Sequence, residues 1–502
     1  MLPAGFWIGA AALGTPGACL MHACISFRLA VAFATLVLVE RPAGASDVNQ
    51  DATTAFSLPA LLRQTTDIGG LRSKLEQEGV QLTFSYYADG FANPVGGVKQ
   101  GFGYDGRFAT IVDADLEKLT GWSGATFHAS VHQIHGTQFS AANLGNLMLV
   151  SGVEAPTSTR LFNLWIEQQF TNRVSLRIGQ FTAAQEFLVS DNADRFVNST
   201  FGWPVLTSVD LPSGGPNYPE ATPGARLQIA VDDQLTLRAA IFDGNPAGPG
   251  IGNPVGRDPY GLAFRVNDPP FVIVEMEYAY GRAGPGSAAI DPNQEGQSTS
   301  TRVRPASGSV LPGSMNLGAW INTGSFADQR FNTQGVLSAM AGGAPLQHQG
   351  NDAIYGVVDQ MLWRVPGPGD RSLNFFMRGM AAPGDRNLID LYTDGGFTFK
   401  GLIERRPADI AGLGFAVGRI SPQAAAYDRD LATALGRPIP VGDFEAVVEW
   451  TYQWKLAEKW FFQPDLQYIF HPGGNIPNPL DPTGRSAIPN ALVLGTRMVM
   501  RF

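Results

Sequence analysis

The chain has 502 residues, a formal charge of −9, 44% hydrophobic residues, only 16% charged residues and 59 glycines. That charge content is well below the ~25% of a soluble domain, and glycine is well above its usual ~7% share. The acidic balance argues against a nucleic-acid partner held by a basic surface. No apolar run after residue 45 approaches the length of a transmembrane helix, whereas scarce charge and abundant glycine suit strands that turn one face to lipid.

Residues 1–45 read as a secretory signal, with Met21 as an alternative start. Arg28 precedes the apolar run 29–39, and Ala43-Gly44-Ala45 supplies a small-x-small cleavage site before Ser46. Both cysteines, Cys19 and Cys24, fall in this leader. The mature chain therefore has no disulfide and must be held together in another way, such as closure of a sheet on itself. Residues 46–80 are expected to form an N-terminal periplasmic helical segment. Leu71 and Leu75 sit at i, i+4 and Gly79 is a stop signal.

From residue 81 the period changes to 2. Phe108, Thr110, Val112, Ala114 and Leu116 alternate with Arg107, Ala109, Ile111, Asp113 and Asp115, as the two faces of a strand require. Sixteen such segments are predicted: 82–91, 106–116, 125–132, 161–170, 174–181, 226–231, 235–242, 271–280, 315–323, 353–363, 373–381, 391–400, 410–418, 444–454, 461–470 and 491–502. Short links at 118–122, 171–173 and 232–234 alternate with long excursions at 133–159 and 182–222. This is the rhythm of an outer-membrane barrel, with short periplasmic turns and long outer loops. An even count puts both ends in the periplasm, so segment 260–266 is assigned to an outer loop and 281–313 to a long periplasmic turn. The last strand carries Leu492, Leu494, Thr496, Met498, Met500 and Phe502 on one face, and Val493, Gly495, Arg497, Val499 and Arg501 on the other. The predicted fold is all-β: a 16-stranded antiparallel transmembrane barrel over 81–502, in the bacterial outer membrane and embedded in its lipid.

The same alternation places Arg107, Asp113, Asp115, His128, His132, Trp165, Glu167, Arg177, Arg226, Arg238, Glu275, Glu277, Trp320, Arg378, Glu445, Glu449, Asp465 and Arg497 on lumen faces. The substrate pathway is predicted to use Arg107, Trp165, Glu167, Arg226, Arg238, Trp320 and Arg378, with Arg107 and Arg226 at strand starts. Carboxylates accept from hydroxyls, Arg donates in a fixed fork and Trp offers a flat apolar face. Both charge signs together suit neutral polyols better than one ion. Segment 182–222 is a candidate constriction loop through Glu186, Asp191, Asp194, Arg195 and Trp203; it also contains Asp210. Trp450, Tyr452 and Trp454 read as interfacial girdle.

No catalytic residue, metal site or cofactor is predicted. Asp113/Asp115 and Glu275/Glu277 are i, i+2 pairs on one strand face, not carboxylates set across a cleft. His128 and His132 are four residues apart on a strand, roughly 13 Å at strand rise, too far to share an ion. Pro212-Ser213-Gly214-Gly215-Pro216 is turn chemistry without a helix behind it.

Several stretches resemble the carbohydrate-selective porin (OprB) family. They are Gly69-Gly70-Leu71-Arg72 with Gly79; Asp115-Leu116-Glu117-Lys118-Leu119 with Gly121-Trp122 and Gly124; Gly179-Gln180-Phe181 followed by Asn198-Ser199 and Phe201-Gly202; Arg405-Arg406-Pro407 with Asp409; and the run from Gln463-Pro464-Asp465 to His471-Pro472-Gly473-Gly474. The family more often has Asn where His471 stands, and the 281–313 turn departs from its pattern. The resemblance implies a 16-stranded porin that passes small sugars such as glucose by diffusion. The terminal Phe502 is similar to the aromatic read by the barrel assembly machinery. Monomer and homotrimer are both compatible with the sequence, as are two rivals: a general or anion-selective porin, and a soluble secreted β-rich carbohydrate-binding protein.

Overall fold

The computed structural model describes residues 67–281, 310–366 and 370–502. The predicted signal 1–45, residues 46–66 and most of the 281–313 turn lie outside the described residues. Sixteen strands follow in chain order: β1 Val80–Val95, β2 Gly101–Asp115, β3 Ala125–Gly136, β4 Ser158–Thr171, β5 Val174–Phe181, β6 Thr222–Ala230, β7 Leu235–Phe242, β8 Phe271–Tyr280, β9 Gly313–Asn332, β10 Pro345–Arg364, β11 Ser372–Ala381, β12 Ile389–Lys400, β13 Ile410–Ile420, β14 Phe444–Ala457, β15 Trp460–Phe470 and β16 Ala491–Arg501. Each pairs with its sequence neighbours, and β1 pairs antiparallel with β16, closing the barrel. Closure satisfies every edge, which is what a wall in lipid demands of its backbone. Phe502 completes the seam: its N–H donates to the Phe84 carbonyl (3.0 Å), and the Phe84 N–H donates back (2.9 Å).

All sixteen predicted segments are strands. Several begin earlier than alternation alone suggested. β2 starts at Gly101 and β6 at Thr222, so Arg107 and Arg226 stand within their strands, not at the starts. The segment 260–266 forms no strand. Part of it lies against the outer end of β4, where β5 has already ended. The Tyr260 carbonyl accepts from Leu161 N–H (2.9 Å), and Gln180 Nε2 donates to the Gly261 carbonyl (2.9 Å). A Cβ on Gly261 would come within 2.1 Å of the Leu161 carbonyl oxygen, so the approach requires glycine there. In the N-terminal segment, Leu71–Gln77 is helical after a 3-10 turn at Ile68–Gly70. The Asp67 carboxylate satisfies the start, accepting from Arg72 N–H (2.8 Å) and Ser73 Oγ (2.6 Å).

Outward positions are apolar and exposed, among them Ile178, Leu227, Ile241, Val274, Leu317, Phe397, Leu413, Trp450 and Trp454. The core lies inside the barrel. Residues 137–157 and 182–221 run through the interior instead of standing away from it. From the second stretch Phe187, Leu188, Phe196, Val197, Phe201, Trp203, Val205 and Leu206 pack against inward residues such as Trp320, Tyr355, Phe376, Tyr392, Val447 and Ile469. β13 shows why there is room. Its inward side carries Gly412, Gly414, Ala416 and Gly418; a Cβ on Gly414 would meet Phe196 at 2.8 Å and Phe201 at 2.9 Å, and one on Gly418 would meet Val205 at 2.9 Å.

Candidate functional site

The wall fastens the infolded stretches with its charged residues. Arg177 donates to Glu167 Oε2 (2.7 Å) and to Glu186 Oε1 (2.5 Å), while Arg226 donates to Glu186 Oε2 and Glu167 Oε1 (both 3.0 Å). The two arginines and two glutamates form a closed ring, and Ser175 Oγ takes a further Arg226 hydrogen (2.8 Å). Glu186 belongs to the interior stretch, so the ring ties it to β4, β5 and β6. Trp165 is the lid of this ring: the Arg177 guanidinium lies 3.6 Å from its ring centroid, and His128 stacks on it at 4.8 Å.

The pattern repeats around the wall. Arg238 meets Glu275 (3.3 Å) and Glu277 (2.8 Å), and Glu275 also accepts from Leu188 N–H (2.9 Å) and Tyr355 Oη (3.0 Å). Arg378 pairs with Asp394 (2.5 Å) and donates to the carbonyls of Leu188, Thr200, Phe201 and Gly202. Glu445 accepts from the N–H groups of Leu147 and Met148, and Glu449 from those of Val197 and Asn198. Asp359 takes Ser190 Oγ (2.9 Å) and Asn192 Nδ2 (2.6 Å), and Arg497 pairs with Asp89 (2.7 Å). Backbone donors and acceptors inside a barrel must be satisfied; here the wall side chains satisfy them.

Two loop carboxyls are held unusually protonated. Glu154 accepts from Ser140 N–H (2.9 Å) and Oγ (2.7 Å), yet burial and then the nearby Asp105 push it up to about 8. Asp210 caps Leu388 and Ile389 N–H at the start of β12 (2.6 and 3.0 Å), and burial pushes it up to about 8 as well.

A cavity of about 550 Å³ is bounded by β1, β2 and β14–β16 on one side and the infolded stretches on the other. That volume lies within the ~300–1,000 Å³ of small-molecule sites. Its lining includes Tyr87, Arg107, Phe162, Gln185, Ser199, Asn217, Tyr218 and Phe461. The Arg107 guanidinium lies 4.6 Å from the Tyr87 ring centroid and 5.5 Å from that of Tyr218. The Tyr218 hydroxyl is anchored on the Val153 carbonyl (2.9 Å).

Of the residues expected along the pathway, Arg107 lines this cavity, as do Asp194, Arg195 and Trp203 of the expected constriction loop. Trp165, Glu167, Arg226, Arg238, Trp320 and Arg378 do not. They are buried beneath the interior stretch they help to hold, and Trp320 packs on Phe271 (5.8 Å) with 2% of its surface exposed. Glu186 lies in the ion ring, and Asp191 gives its carbonyl to Arg195 Nε (3.1 Å). Sequence reasoning missed Tyr87, Phe162, Tyr218 and the wall glutamines Gln453 and Gln463. Tyr87 and the glutamines occupy inward strand positions, which was the available signal. Tyr218 lies in an irregular stretch with no period to read. Among the described residues, no group of three or more His, Cys, Asp or Glu could hold a metal ion.

Comparison with known proteins places this architecture. The family described as "Carbohydrate-selective porin, OprB family" matches residues 99–502. Porin B of Pseudomonas aeruginosa is 24% identical over 471 residues, covering 90% of this chain and 93% of that protein. The high-pH structure of Pseudomonas putida OprB superposes with a TM-score of 0.72 at 21% identity, over 87% of this chain and 97% of that one. With a closed sixteen-stranded wall, an interior filled from two loops and a family match over most of its length, this chain is an outer-membrane channel protein that belongs to the carbohydrate-selective porin, OprB family.

Proposed function

We propose that the protein lets small neutral sugars such as glucose diffuse passively into the periplasm through the eccentric cavity between the infolded stretches and the β14–β16–β1–β2 wall. The observation that carries this reading is the lining. Aromatic side chains (Tyr87, Phe162, Tyr218, Phe461) stand beside hydroxyl and amide groups (Ser199, Gln185, Asn217), the combination that meets both the C–H faces and the hydroxyls of a sugar ring. Transport needs contacts of this kind to stay weak, because a solute bound too firmly would not leave. Stretch 182–221 acts as the constriction, and the large charged inventory of the wall serves to fix it. We further take Phe502, paired at the seam with Phe84, as the signal read by the barrel assembly machinery.

The test is liposome swelling with the purified mature protein. Glucose is expected to enter much faster than a disaccharide of the same hydroxyl density. Equal rates for glucose, maltose and an uncharged non-sugar of glucose size would defeat the selective reading and favour a general pore.

A further inference from the structure

Six arginines inside this barrel are matched to carboxylates, and Arg195 is not among them. Arg160, Arg177, Arg226, Arg238, Arg378 and Arg497 each have a carboxylate oxygen at 2.5, 2.5, 3.0, 2.8, 2.5 and 2.7 Å respectively. Arg195 differs. Its Nε donates to the Asp191 carbonyl (3.1 Å), and among the described residues no carboxylate lies within ion-pair distance of its guanidinium. Yet it is half-buried and lines the cavity.

The position is also firmly built. The Arg195 carbonyl accepts from Gln463 Nε2 (2.8 Å) and Gln453 Nε2 (3.2 Å), and Gln463 Nε2 is braced on Thr451 Oγ1 (2.8 Å). On one side Asn192 is pinned on Asp359; on the other Phe196 packs against Phe201 in a tilted pair (4.6 Å) and Val197 N–H sits on Glu449 (2.6 Å). Two inward glutamines from adjacent strands are thus used to fix the main chain of one residue that lines the cavity. A cation set on a rigid base in a narrow, low-dielectric passage loses little freedom when it binds, and its charge is weakly screened.

We propose that Arg195 is an anion-recognising residue of the passage and that it extends the solute range to sugar acids: hydroxylated chains carrying one carboxylate. The guanidinium fork matches a carboxylate bidentately. The hydroxyls of such a solute use the same aromatic and amide lining as a neutral sugar, so this inference rests on the carbohydrate reading above.

The experiment is single-channel recording of the full mature protein in a planar bilayer at fixed KCl, with gluconate and glucose titrated separately as blockers. Gluconate is expected to block at lower concentration than glucose. In Arg195→Gln the gluconate-to-glucose preference is expected to fall about tenfold, the scale of one lost charge-assisted pair, and Arg195→Lys, which keeps the charge without the fork, is expected to restore only part of it. A wild-type channel blocked by glucose with no preference for gluconate would overturn this inference alone, as would an unchanged preference in open Arg195→Gln channels. A channel that neither solute blocks would overturn it together with the carbohydrate reading.

Discussion

Arg226 illustrates how position changes the meaning of a charged side chain. Alternation put it on the lumen face, where a donor fork invites a sugar hydroxyl, and the side chain is indeed inward. Its hydrogens go instead to Glu167, Glu186 and Ser175. Facing was legible in the sequence because it follows from period 2. Partnering was not, because Glu186 comes from an irregular stretch. Removing one partner of a buried ion pair typically costs about 3–5 kcal/mol. Arg226→Ala is therefore expected to loosen the interior stretch, seen as noisier single channels of higher mean conductance with the barrel still heat-modifiable on a gel. Quiet channels of unchanged conductance would contradict that. The loop carboxyls give a pH dependence. Glu154 and Asp210 are raised to about 8 from ordinary values of 4.5 and 3.8. Groups raised on folding contribute fully below the ordinary values and lose that contribution as pH rises through about 8. The interior stretches should thus be most firmly seated below about pH 4 and loosen progressively as pH rises to about 8. Conductance followed across that range should rise in the wild type, and the rise should flatten in Glu154→Gln.

At the scale of elements, the strands were readable and the interior was not. Strand periodicity, short turns and the even count carried all sixteen strands, including the seam formed by β16. The sequence also suggested that 182–222 could turn inward, but gave no measure of how far. The physical sign was present in β13, whose alternation reads Gly412, Gly414, Ala416, Gly418 on one side and Leu413, Phe415, Val417 on the other. An inward row that small reserves space for another element, here Phe196, Phe201 and Val205. Gly414→Val would put branched methyls where a single Cβ already meets Phe196 at 2.8 Å. Overpacking of this kind costs ~1–3 kcal/mol; the expected readout is faster trypsin cleavage within 182–221, where Arg195 is the basic site, than in the wild type. Cleavage at the wild-type rate would show that the stretch is not seated on β13. The helix Pro422–Leu435, by contrast, carries local signals: Ser421 Oγ caps Ala424 N–H (3.2 Å), proline stands at its start and Gly436 closes it in the left-handed region (φ 62°). Sequence reading nevertheless left it inside a connection between two strands.

For the whole molecule, the charge inventory and the selectivity are separate matters. A wall lined by arginines and carboxylates invites an electrostatic account of selectivity, yet most of those groups neutralise one another while securing two loops. The cavity proposed as the passage is lined by loop residues and by one sector of wall, beside an interior that has an apolar core of its own. The family to which the chain belongs was legible from ordered short motifs; the position of the cavity was not, since it depends on how irregular segments fill a barrel. Replacing 182–221 by a short Gly-Ser link should leave a folded barrel, because the wall closes through strand pairing alone, but should remove the constriction.

The most direct measurement is therefore a glucose titration of single-channel current, made side by side on the full mature protein and on that loop-replaced form. The expected result is a small conductance with saturable glucose block in the full protein, and a conductance several times larger with no glucose block once the stretch is gone. A full-length channel that is wide, ohmic and indifferent to glucose, or a loop-replaced channel that keeps the same conductance and block, would contradict the account.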